Sequence, residues 1–238
     1  MDVVRKEYEL SLNQSVSQLY KVFESYPLKP KIEGCPCCIS DAGELKFHSK
    51  SLKELTENDL LPFIYASQST VGDLEDFKHF LPRILELIVK GKGLPNVIMS
   101  YIKKNYYAQF IEWPLLEQEA IVNFLQSWWD YELSADHDEY LPSSELRDCI
   151  EAINKLDDDC VKFLEFGLMN KSAYAICHII DLLGDDIFRA TIWNDKQIHL
   201  IFLWLQKKET MDILKNHSYF QYNGWKLSSW KLPGYDWK

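Results

Sequence analysis

With 238 residues the chain is long enough to bury a core without disulfides. Its 9 glycines and 9 prolines are too few for the many turns of an all-β protein. A formal charge of -10, from 26 Lys and Arg against 36 Asp and Glu, argues against a phosphate-binding surface, so nucleic acid is not an expected partner.

The acidic balance favours solubility and suits a basic protein partner. Residues 1–10 mix charges and hold no apolar block, so no ordinary signal peptide is expected there. The densest apolar stretches, residues 81–89 and 198–205, fall short of the ~20 residues that span a bilayer. The expectation is a soluble, cytoplasmic protein without a membrane partner. Cys149, Cys160 and Cys177 sit singly in apolar helical patterns and read as small buried hydrophobes.

In chain order, Tyr8, Leu10 and Leu12 alternate as a short strand would. Asn13 can then cap a helix bearing Val16, Leu19, Tyr20 and Phe23, which Pro27 stops. Residues 27–55 show little periodicity and form the longest irregular stretch before the tail. A helix carrying Leu60, Leu61, Ile64 and Tyr65 follows, capped by Thr56 or by Asp59; the second option puts Pro62 in the first turn. Asp73 caps the next helix, which Pro82 is expected to kink or divide and Gly91 and Gly93 to close.

Pro95 starts a short helix and Pro114 a longer one, with an apolar stripe from Leu116 to Trp128. A polar segment at 132–142 is the expected boundary between an N-terminal half, 1–131, and a C-terminal half, 132–238, unless the two form one domain. Four or five more helices carry Leu146, Ile150 and Ile153, then Val161 and Leu164, then Ile176 to Leu183, then Ile198 to Leu205, then Met211 and Leu214. The tail from Ser218 holds seven aromatic rings without helical spacing, expected to dock on the body and complete its core. The fold class is therefore all-α, helical hairpins packed in layers with a solenoid-like stack as a variant, plus one irregular Cys-containing loop region.

The run Gly72-Asp73-Leu74-Glu75-Asp76-Phe77-Lys78-His79-Phe80-Leu81-Pro82-Arg83 resembles the signature of a family of uncharacterised bacterial proteins. The upstream Gly34-Cys35-Pro36-Cys37-Cys38, with His48, and the later Trp113-Pro114 are similar to that family too. The resemblance covers roughly residues 10–130 and departs at Val71, where the family has an aromatic. It implies a helical bacterial protein and brings no activity with it.

Two groups of residues are candidates for a site. Asp73, Asp76, His79 and Arg83 recur at three, three and four residues, so they can share one helix face that binds a partner or an anion; capping alone also explains both aspartates. Cys35 and Cys38, with Cys37 or His48 as third ligand, have the spacing to hold one edge of a tetrahedral zinc, although a second cysteine pair is missing. Their other readings are inert loop thiols or a redox pair lacking its βαβ context. The acidic residues from Asp130 to Glu139 lack the ligand spacing of a calcium loop. No nucleophile, metalloprotease or phosphate-loop motif occurs, so no catalytic residue is assigned. The reading is a non-enzymatic interaction protein of the bacterial cytoplasm with an unidentified protein partner, the alternative being a zinc or redox protein centred on Cys35 and Cys38.

Overall fold

The computed structural model describes residues 3–34, 39–66, 71–90, 110, 112–136, 144–156, 160–184 and 192–231. Among them are eleven α-helices, three 3-10 helices and one isolated β-bridge, and no strand. The chain is all-α. It divides into two compact units, Leu12–Phe124 and Leu125–Lys238 with Met1–Ser11. The division falls inside two helices, α1 (Val3–Val22) and α5 (Leu115–Leu133), where the sequence had placed it at 132–142.

Helix α1 begins at Val3, so Asn13 is not its cap and the alternation of Tyr8, Leu10 and Leu12 does not make a strand. Its first turns are held by partners remote in sequence. The Arg5 guanidinium stacks 4.4 Å over the Tyr131 ring, and the Tyr8 hydroxyl accepts from Lys171 N at 2.9 Å. Distant contacts of this kind overrule a local pattern.

In the unit Leu12–Phe124, the irregular stretch contains more helix than its sequence suggests: α2 (Asp41–Ser49) and a 3-10 turn, Leu52–Glu54. Ser40 caps α2 through Gly43 N, and Glu44 on α2 accepts from Ile32 N at 2.7 Å. The flank of the cysteine segment is tied down as well. Gly34 bridges Val71, and Gly72 N donates to Glu33 O at 2.6 Å. Gly72 has φ +68°, a conformation that costs other L residues but not glycine.

Helix α3 (Glu57–Ala66) is capped at Thr56, whose backbone N–H and hydroxyl both donate to Asp59, so Pro62 lies inside the helix. Helix α4 (Leu74–Val89) likewise runs through Pro82 unbroken. In both, tertiary packing supports the helix where proline removes a donor. Phe47, Phe63 and Phe80 meet with centroids 4.6–6.4 Å apart, joining α2, α3 and α4 in one core with the buried Leu60, Leu81 and Leu85.

The second unit is built from the end of α5 with α6 (Ser144–Leu156), α7 (Val161–Leu168), α8 (Ala175–Gly184), α9 (Asp195–Leu205), α10 (Lys208–Asn216) and α11 (Ser218–Asn223). A 3-10 helix, Gly224–Trp230, follows α11. Leu146, Ile150 and Ile153 are fully buried on α6, as their spacing requires. Helix α8 packs against α7, α11 and the 3-10 helix, while α9 packs against α7 and α10. Cys149, Cys160 and Cys177 are buried and outside any disulfide, Cys149 and Cys160 completely buried. None of the described helices is long and apolar enough to cross a membrane.

Candidate functional site

The four residues of the helix-face candidate all lie on or at the start of α4 and have different surroundings. Asp73 accepts from Glu75 N and Asp76 N at 3.0 Å, and Asp76 accepts from Asp73 N at 2.9 Å, a reciprocal capping box. Lys29 neutralises Asp73, whereas burial raises the pKa of Asp76. Arg83 donates through Nε to Leu55 O and through Nη1 to Glu86, both at 2.7 Å. His79 bonds through Nδ1 to Tyr26 O at 2.8 Å, and burial lowers its pKa. It lines a groove of about 440 Å³ between α1, α4 and the 52–54 turn, whose lining includes none of the other three.

Cys35, Cys37 and Cys38 lie outside the described residues. His48 is exposed near the end of α2, and among the described residues no cluster of three or more metal-ligating side chains occurs. The acidic segment begins with side chains already in use. Asp130 accepts from Gln126 and Asn170, and the buried Glu132 accepts from Trp128 Nε1 at 3.0 Å.

The larger groove, of about 840 Å³, belongs to the second unit. It lies between α8, with the turn preceding it, and the α11–3-10 segment. Beneath it sits Asp181, its side chain 2% exposed. The Tyr219 hydroxyl donates to both Asp181 oxygens, at 2.8 and 3.0 Å, and Lys226 Nζ donates to Oδ1 at 2.8 Å and to the Tyr219 hydroxyl at 3.2 Å. Trp230 Nε1 donates to Leu183 O at 2.9 Å, pinning the far end of the segment. Gly184 permits the contact, since a Cβ there would meet the Lys226 Cβ at 2.6 Å. His217 Nδ1 accepts from Tyr219 N at 3.3 Å and so caps α11.

Over this pinned frame stand rings that are not in the core. Tyr222 is 78% exposed, Trp225 59% and Tyr174 39%, and all three line the groove. The tail thus divides: Leu227 and Trp230 complete the core, as expected of its aromatics, and Tyr222 and Trp225 face outward. Tyr235 and Trp237 lie outside the described residues. Sequence reasoning named the tail but not the groove. Tyr174 and Cys177 are more than forty residues upstream, and no local spacing signals that they meet Trp225.

Cys177 also lines the groove, and burial, then the nearby Asp181 charge, push its thiol up to about 11, so it stays protonated near neutrality. Asp181 spends its oxygens on Tyr219 and Lys226. No family model, curated protein or solved structure matches this chain.

Proposed function

We propose that this chain is a non-enzymatic interaction module that holds a segment of a partner protein across the aromatic groove of its second unit. The reading rests on one observation: Tyr222 and Trp225 are displayed in the open on a frame fixed by the buried Asp181 and its partners Lys226 and Tyr219. Aromatic rings with few rotatable bonds, held by a rigid support, are the side chains that dominate binding interfaces. The same unit carries 22 acidic against 14 basic residues, eight of the ten net negative charges, which favours a basic partner by long-range steering. Cysteines outside disulfides at 149, 160 and 177 suit the bacterial cytoplasm.

A photo-crosslinking residue in place of Tyr222 tests the reading in the source cells, with Leu45 of the other unit as the control position. A partner captured from position 222 and not from position 45 is the expected result. Equal capture from both positions, or none from either, would contradict it.

A further inference from the structure

The smaller groove, in the unit Leu12–Phe124, has the opposite charge character from the chain as a whole. Its floor is apolar, from Phe23, Leu52 and Pro82, and its rim carries Lys21 and Lys53, both exposed. The Lys53 ammonium sits 4.7 Å above the Tyr20 ring, which orients it at the groove. Two carboxylates beside the groove are already committed. Glu54 takes the backbone N–H and hydroxyl of Ser51, and Glu86 takes Tyr20, Arg83 and Lys90. Among the described residues neither Lys21 nor Lys53 forms an ion pair, and Glu24 is the one acid among the groove's own residues. His79 adds a ring whose Nδ1 is occupied by Tyr26 O, leaving Nε2 as its other polar atom.

We infer that this groove is a binding site for an amphipathic carboxylate, its acid group held between Lys53 and Lys21 and its apolar body on Phe23 and Leu52. A volume of about 440 Å³ lies in the range of small-ligand sites, roughly 300–1,000 Å³. The carboxylate can come from a free small acid or from an acidic residue of a peptide beside an aromatic one; the recognition chemistry is the same.

Calorimetric titration of the full chain separates the two sources. The probes are 4-phenylbutyrate and acetyl-Phe-Ala-Glu-amide, and the controls are 4-phenylbutanol and the peptide with Gln for Glu. Saturable binding of either acid is expected, with its uncharged control about tenfold weaker or worse, as loss of a charge-assisted contact implies. Binding of the free acid assigns the site to a small ligand, and binding of the peptide alone assigns it to a protein segment. The double change Lys21→Gln/Lys53→Gln should weaken the acid by a similar factor with an unchanged melting temperature, since both side chains are exposed. Equal affinity for acid and control, equal affinity of wild type and variant, or no saturation by either acid would overturn the inference.

Discussion

Lys78 and Glu117 form an ion pair at 2.6 Å with side chains only 5% and 6% exposed, joining α4 to the start of α5. The Tyr26 hydroxyl donates to Glu117 at 2.6 Å and accepts from Lys78 at 3.1 Å, and the ammonium lies 4.3 Å from the Trp113 ring. The cluster repeats the tyrosine, lysine and carboxylate of the Asp181 site in a different unit.

Removing one charge from such a pair strands the other in a buried site. Lys78→Met should therefore destabilise the fold by about 3–5 kcal/mol, while Lys78→Met with Glu117→Leu should recover much of that loss. Urea unfolding of the three proteins measures this. A single change within about 0.5 kcal/mol of wild type would mean the pair is solvated in a way its burial does not suggest.

Glu132 makes stability depend on pH. Burial raises its pKa from 4.5 to about 7, opposed by the Trp128 hydrogen bond and Arg5 and reinforced by Glu145 and Asp148. A carboxyl with a raised folded-state pKa favours the fold fully below pH 4.5 and loses that contribution as pH climbs through 7. Ionised Glu132 then costs up to about 3 kcal/mol. Glu132→Gln keeps an acceptor for Trp128 without the charge, so it should match wild type at pH 4 and exceed it at pH 8. Parallel unfolding curves at both values would refute this.

The tail rings should separate by role. Trp230 is 5% exposed and bonded to Leu183 O, so Trp230→Ala should cost about 3–5 kcal/mol. Trp225 is mostly in solvent, and Trp225→Ala should stay within about 0.5 kcal/mol. Thermal melts of the two variants compare them directly; equal losses would place Trp225 in the core.

Zinc content bears on the alternative reading of Cys35 and Cys38. The flank of that segment is already held by Gly34–Val71 pairing and the Gly72–Glu33 hydrogen bond, which lessens the need for a metal to order it. The interaction-module reading expects substoichiometric zinc in wild type and in Cys35→Ser/Cys38→Ser alike. One zinc per wild-type chain, lost in the variant, would establish a metal site.

Some of this was legible in the residues themselves. The box of Asp73 and Asp76 marked the start of α4, and Leu146, Ile150 and Ile153 marked the buried face of α6, because capping and periodicity are local. The N-terminal turns of α1 were not, since Arg5 and Tyr8 find partners 126 and 163 residues away. Proline was only partly legible for the same reason: of the readings open at Pro62 the Thr56 cap holds, and at Pro82 the helix is not divided, because the packing that offsets the local penalty is not visible in the sequence. Of the residues proposed for a helix-face site, His79 borders a groove, while Arg83 is tied to Leu55 and Glu86, neither of which its own spacing names. The aromatic groove depends on α8 meeting a segment some forty residues later, and nothing in either stretch announces the other.

The central claim is tested most directly by the affinity of the crosslinked partner for Tyr222→Ala/Trp225→Ala beside wild type. The account predicts a loss of at least about 2 kcal/mol, roughly thirtyfold, as for residues at the centre of an interface, with the melting temperature nearly unchanged. Equal affinity of the two proteins for that partner would contradict it.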